Sequence, residues 1–227
     1  MMSLSELWKG LKFVSDYSEL TASQKPLLEA VLYQEMQARE LKRIGSLMQR
    51  SGIKKIKRIE DFDWAFNPKI PKDTIMPLFK SPQWIEKANN IVFIGPAGVG
   101  KSHLGDALCY QMITHHGIPS TRITCFDLVE KLKKSTNKYN MLNYYATVNV
   151  LCLDELGYVF PSHDQANDIF QIISKRSELL PTIITTNLVP SQWGKVFEAS
   201  TATAILDRLS LNGNFITCEG RSYRSKK

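Results

Sequence analysis

No apolar run in the chain approaches the roughly 20 residues that a membrane-crossing helix needs, and no basic stretch followed by an apolar one stands at the N-terminus. The sequence therefore offers neither a membrane span nor a secretory signal. Cysteine is sparse: Cys109, Cys125, Cys152 and Cys218 stand far apart, and neither they nor the four histidines have metal-site spacing. We expect buried thiols in a cytosolic, cytoplasmic protein. Internal repeats and low-complexity tracts are missing. Glycine is rare early on, with only Gly10, Gly45 and Gly52 before residue 60, and that region reads as helical. Acidic residues are scarce in one short segment. From Arg39 to Arg58, eight basic residues (Arg39, Lys42, Arg43, Arg50, Lys54, Lys55, Lys57, Arg58) face Glu40 alone, a local +7 that equals the formal charge of the whole chain. Such a run is either a solvated face or a contact for a polyanion; beside a nucleotide domain we favour nucleic-acid phosphates, read without sequence preference.

What the chain does have is 43% hydrophobic residues, enough for one sizeable domain plus a small appendage. Ser23-Gln24-Lys25-Pro26 resembles a helix start. Leu27, Leu28, Val31, Leu32, Met36, Leu41, Ile44 and Leu47 then recur at roughly helical spacing toward Met48. We take 1–60 as a helical, basic, DNA-binding segment, 61–90 as a linker and 91–227 as the main domain. The linker carries Pro68, Pro71, Pro77 and Pro82, and its Phe62, Trp64 and Phe66 either pin it to the domain or stack on bases.

From Ile91 onward strand-like and helix-like runs alternate, the mark of a parallel sheet. The pattern predicts strands over 91–94, 121–126, 148–153, 181–186 and 214–218. It predicts helices over 103–115, 128–134 (capped by Asp127), 139–145, 165–178 and 201–211, with Gly117 as a C-terminal cap and Ser191 capping a short turn around Trp193.

The first of these strands runs into Gly95-Pro96-Ala97-Gly98-Val99-Gly100-Lys101-Ser102-His103. A G-x-x-x-x-G-K-[ST] run between a strand and a helix is a phosphate loop in its proper context. Glycines bring backbone N–H groups close to phosphate oxygens, and the following helix adds the positive end of its dipole. Lys101 is placed to reach the β/γ-phosphates of ATP and the Ser102 hydroxyl to ligate Mg²⁺. The apolar strand ending in Leu153-Asp154-Glu155 delivers two acids to the same sheet edge. We assign Asp154 to hold Mg²⁺ through water and Glu155 to act as general base on the attacking water. Asn187, after Thr182–Thr186, reaches that edge too, either to bind the attacking water or a phosphate oxygen, or simply to start a turn. Arg208 lies on a helix far downstream. It can reach a neighbouring subunit's γ-phosphate in trans, or pair locally with Asp207; spacing alone leaves both open.

Taken in order, Gly95–His103 (GPAGVGKSH), Leu153–Gly157, Thr185-Thr186-Asn187, Ala204–Leu209 (AILDRL) and Ser222-Tyr223-Arg224 resemble the IstB-type AAA+ ATPases, helpers of insertion-sequence transposases, and are similar to DnaC-like helicase loaders. The resemblance covers about 35–224. It implies an AAA+ (ASCE) P-loop NTPase: α/β, a five-stranded parallel sheet flanked by helices, preceded by a small helical segment. Only 19 residues follow Arg208, so no C-terminal lid domain is expected. It also implies ATP bound between subunits of a homo-oligomer, assembly on duplex DNA gripped by the N-terminal segment, and recruitment of a transposase. On that resemblance Arg208 becomes the arginine finger and Arg224 a second nucleotide contact, while Arg176 matches a recurrent position of unassigned role. The alternatives are a loader that binds a replicative helicase, and, from another class, a small-molecule kinase using the same loop. The Asp154-Glu155 pair, Asn187 and the basic segment speak against the kinase.

Overall fold

Ser3 and Glu6 form a reciprocal capping box that starts helix α1 (Leu4–Gly10) in the computed structural model, which describes residues 3–225. The expected outer limits 1 and 227 fall outside the described residues. Helix α2 (Gln24–Arg50) follows, close to the predicted span. Leu4, Leu7 and Leu11 bury against Leu32, with Trp8, Leu28 and Met36 around them, and the Leu4 N–H donates to Glu29 Oε1 at 3.0 Å. The apolar stripe expected along α2 is only partly used: Leu32 is buried, but Leu27 and Leu41 are each 71% exposed.

The chain divides into two compact units, one through Ser46 and one from Leu47 onward. The boundary thus falls inside α2 rather than at residue 60. Residues 61–90 are not a linker either. They fold into α3 (Lys72–Lys80) and α4 (Gln83–Glu86). Ile59, Phe62, Ile70, Ile75, Leu78, Phe79 and Trp84 share one apolar cluster with Leu104, Leu108 and Met112. The physical reason is burial: a large apolar side chain every few residues outweighs the prolines, two of which (Pro71 and Pro82) simply stand at the N-caps of these helices.

The second unit then alternates β1 (Asn90–Ile94), α5 (Lys101–His116), β2 (Ser120–Thr124), α6 (Cys125–Lys134), α7 (Lys138–Thr147), β3 (Val150–Leu156), α8 (His163–Arg176), β4 (Thr182–Thr186), α9 (Ala199–Ser210) and β5 (Gly213–Thr217). All strands pair in parallel, in the order β2-β3-β4-β1-β5. Alternate residues serve opposite faces. Ile91, Phe93, Cys152 and Ile183 join the cluster under α5, whereas Val92, Leu151, Leu153 and Ile184 join Leu128, Ile169, Ile172 and Ile205 of α6, α8 and α9. All four cysteines are buried and free. No helix among the described residues is long and apolar enough to cross a membrane.

Two boundaries differ from expectation in ways that matter. The cap of α6 is Thr124, whose hydroxyl accepts from the Asp127 N–H, so Asp127 sits in the first turn instead of capping it. A strand-ending threonine supplied the acceptor three residues earlier. Strand β3 runs on through Asp154 and Glu155 to Leu156, which puts both acids in the sheet rather than after it.

Arg176 is a structural clamp. It is fully buried, and its guanidinium donates to Thr182 Oγ1 (3.1 Å) and to the carbonyls of Tyr145 (2.9 Å), Val148 (2.7 Å) and Pro181. Every one of these partners is a neutral oxygen. Burial draws its pKa down to about 9, which still leaves it charged at neutral pH, and the fork of donors ties the end of α7 to the α8–β4 connection. Arg176→Met removes these bonds and strands buried carbonyls. We expect a loss of about 3 kcal/mol and a melting temperature lower by roughly 5–10 °C, measured by calorimetry. A melting temperature unchanged within a degree contradicts the clamp.

Candidate functional site

The turn after β1 adopts the conformation that its glycines permit. Gly98 and Gly100 have φ of 80° and 113°, a region that side chains avoid. Gly100 has a second constraint: a Cβ there would lie 2.6 Å from Phe62 Cε2. Helix α5 begins immediately afterwards at Lys101, its free N–H groups directed at the loop. Lys101 is only 7% exposed, and its Nζ donates back to the Pro96 carbonyl at 2.7 Å. Burial pulls its pKa below the ordinary lysine value, against the fields of Asp154 and Glu155. A buried ammonium held by one carbonyl gains from any anion that enters the loop.

Ser102, the next residue, donates its hydroxyl to Asp154 Oδ1 at 2.8 Å. Asp154 is 1% exposed. The same oxygen accepts from Thr185 Oγ1 on the neighbouring strand, and Oδ2 accepts from Arg122 on β2. The pairing of β3 with β4 slips here: Leu153 faces Ile184, but Leu156 faces Thr186. Asp154 and Glu155 therefore share the space opposite Thr185, which is a β-bulge. Glu155 takes a left-handed φ of 61°, donates its N–H to Thr185 Oγ1 at 3.0 Å, and leaves its carboxylate exposed at the sheet edge. For a non-glycine residue that conformation costs about 1–2 kcal/mol, held by the ladder on either side. Asn187 is the first residue beyond β4 and is exposed at the same edge.

Among the described residues no cluster of three or more His, Cys, Asp or Glu could hold a metal alone. A serine hydroxyl beside one buried carboxylate fits Mg²⁺, a hard cation that keeps waters and completes its octahedron with phosphate oxygens. Such a pair calls for the metal to arrive with a triphosphate.

The loop borders a cleft of about 430 Å³, walled also by Lys55, Lys57, Phe62, Phe66, Asn67, His103, Tyr223 and Arg224. The C-terminal stretch closes one side. The Tyr223 N–H donates to the Gly98 carbonyl at 2.8 Å, and Asn67 clamps Arg221 by two bonds, Nδ2 to its carbonyl (2.9 Å) and Oδ1 from its N–H (2.8 Å). Tyr223 meets Phe66 edge-on. Of the residues expected in the linker, Phe62 is buried against the loop and the Trp64 ring packs on it at a tilt of 55°. The His103 ring contacts Phe62 and the Arg58 carbonyl (2.8 Å).

Arg208 is not part of this wall. It lies on the surface of α9, 3.0 Å from Asp207 and over the Phe170 ring, and the Asn90 amide holds the end of that helix through the Leu209 carbonyl at 3.3 Å. The basic run is less free than its sequence suggests. Arg39 pairs with Glu35 (2.6 Å), Arg43 with Glu40 (2.7 Å), and Lys57 reaches Asp106 of α5 (2.8 Å); Lys42, Lys54, Lys55 and Arg58 are exposed. Sequence reasoning missed Thr185, Arg122, Asp106 and Asn67. Asp106 carried a signal, since it stands four residues after Ser102 and so on the same helix face. Arg122 carried none, being one polar residue in a half-polar strand.

A family model described as IstB-like ATP binding protein matches residues 2–227. The chain is 34% identical over 203 residues to an ATP-binding protein of insertion sequence IS232 from Bacillus thuringiensis subsp. berliner, covering 85% of this chain and 78% of that one. In fold it is similar to DnaI (TM-score 0.62, 21% identity, 76% of this chain and 92% of that one). It is likewise similar to the DnaC helicase loader (TM-score 0.56, 23% identity, 74% and 97%). The family match begins well before residue 35, the start of the stretch over which the resemblance is read from the sequence.

Proposed function

The chain belongs to the IstB-like ATP binding protein family and has the AAA+ P-loop fold, and on that premise we propose that it hydrolyses ATP, assembles on duplex DNA and delivers target DNA to a transposase. The observation that carries the reading is the Ser102–Asp154–Thr185 cluster beside the outward-facing Glu155. A hydroxyl and a carboxylate in contact under a phosphate loop, with a second carboxylate free at the same edge, is the arrangement that hydrolysis of a phosphoanhydride needs.

In this reading the backbone N–H groups of Gly98–Ser102 and the Lys101 ammonium bind the phosphates of ATP, with His103 and Arg224 beside them. Ser102 directly and Asp154 through water would hold Mg²⁺, which would supply neutralisation of the charge that develops on the phosphate oxygens. Glu155 takes a proton from water as its oxygen bonds to the γ-phosphorus and the bond to the ADP oxygen breaks. Asn187 orients that water. Arg208 enters from a neighbouring copy, so nucleotide sits at subunit interfaces and governs assembly. Phe66, Asn67 and Tyr223 line the same cleft and offer aromatic and amide surface to a nucleobase.

DNA contact is assigned to Arg39, Lys42, Arg43, Arg50, Lys54, Lys55 and Arg58; Lys57 is committed to Asp106 in the free protein. The test is the salt dependence of duplex binding. Neutralising Lys54, Lys55 and Arg58 together is expected to weaken binding equally for unrelated sequences and to flatten the slope of log K against log salt by about one unit per lost phosphate contact. An unchanged slope returns these side chains to a solvated face. Preference for single-stranded DNA together with capture of a replicative helicase, instead of duplex and transposase, makes the chain a helicase loader.

A further inference from the structure

Three charged side chains outside the expected hydrolytic set, Lys57, Asp106 and Arg122, form a continuous chain that ends on Asp154. Arg122 donates from Nε to Asp106 Oδ1 at 3.2 Å and from its terminal nitrogen to Asp154 Oδ2. The other Asp106 oxygen lies 2.8 Å from Lys57 Nζ. Both carboxylates are buried, so bulk water screens these pairs weakly. Burial works against the Arg122 charge, and the fields of Asp154 and Asp106 outweigh it, holding its pKa above the ordinary value. Lys57 is also part of the basic run, whose Lys54, Lys55 and Arg58 stay exposed. That run is seated on the same strand and helix: the Arg122 N–H donates to the Ser51 carbonyl at 2.6 Å, and the Arg58 carbonyl meets the His103 ring.

We propose that Arg122 is a positioning residue shared between Asp106 and Asp154, and that Lys57 sets the share, so that a DNA backbone drawing Lys57 off Asp106 raises the affinity of the site for nucleotide with Mg²⁺. This rests on the nucleotide reading above. While Lys57 is in place, Asp106 divides its field between two cations, and the guanidinium stays on Asp154. Once Lys57 turns to a phosphate, Asp106 attracts Arg122 alone. Asp154 Oδ2 then loses its donor and is free to hold the metal's water. Linkage makes the effect reciprocal: nucleotide with Mg²⁺ favours release of Lys57 and so tightens the grip on DNA.

The test is equilibrium binding of a fluorescent, slowly hydrolysed ATP analogue to the full chain, with Mg²⁺ or EDTA, with and without duplex DNA at low salt. Lys57→Met is expected to raise the Mg²⁺-dependent affinity about fivefold in the absence of DNA, and DNA then adds less than about twofold more, whereas it shifts the wild type about fivefold. Asp106→Asn is expected to act with the opposite sign, lowering that affinity about fivefold, because Arg122 then stays on Asp154. In EDTA, Asp106→Asn stays within about twofold of wild type, since Asp106 is not in the cleft wall; Lys57 does line that wall, so its effect is read as the ratio of affinity with Mg²⁺ to affinity in EDTA. General damage to packing cannot give opposite signs. If Asp106→Asn fails to fold, the DNA response of Lys57→Met decides alone. Shifts in the same direction, no shift, or a wild-type DNA response in Lys57→Met each overturn the proposal while leaving the nucleotide reading intact. A wild-type chain that does not bind the analogue with Mg²⁺ at all overturns that reading, and this proposal with it.

Discussion

Glu155→Gln is expected to bind ATP about as tightly as the wild type and to hydrolyse it about 10²- to 10⁴-fold more slowly, the usual worth of a positioned general base. The substitution keeps shape and removes the proton acceptor. Its effect is expected to be confined to chemistry because the Glu155 backbone, not its side chain, holds the bulge: the N–H is bonded to Thr185 Oγ1, and the carboxylate is exposed. Single-turnover hydrolysis in the presence of duplex DNA measures it. A variant that turns over within about threefold of wild type places the base elsewhere.

Arg208→Ala carries the second large effect, about 10³-fold or more in turnover with nucleotide affinity retained. In its own chain Arg208 stands on the surface of α9, paired with Asp207 and outside the cleft wall. An exposed pair between adjacent residues is worth less than about 1 kcal/mol, so a purely local role predicts almost no loss. The two roles also separate by mixing. Lys101→Ala lacks the phosphate ligand but keeps the arginine, whereas Arg208→Ala has the reverse defect. If the arginine acts across a subunit interface, the mixture regains activity that neither variant has alone; if it acts within one chain, the mixture stays inactive.

The parts of the molecule readable from sequence are those fixed by local chemistry. The loop from Gly95 to Ser102 is legible because few sequences place glycines, lysine and serine between an apolar strand and a helix. The alternation that follows predicts the parallel sheet, since strands covered on both faces are uniformly apolar. Asp154 and Glu155 were found because they end such a strand. What escaped depends on register and on partners distant in sequence. The slip between β3 and β4 that brings Thr185 under both acids has no sequence mark. Arg122, 32 residues before Asp154, becomes meaningful only when β2 lies beside β3. Residues 61–90 read as a linker in the sequence because four prolines obscure the apolar positions Ile70, Ile75, Leu78 and Trp84, all buried in the core. Arg176, of unassigned role in the sequence, owes its place to carbonyls that only the folded chain gathers.

The proposed activity reduces to one dependence: bound ATP joins adjoining copies of the chain and thereby sets their hold on DNA. Electron microscopy of Glu155→Gln on long duplex DNA, with ATP and Mg²⁺ and again without nucleotide, tests it most directly. Ordered rings or helices on the DNA only when ATP is present are the predicted result. The same assemblies with and without nucleotide, or bare DNA in both, contradict it.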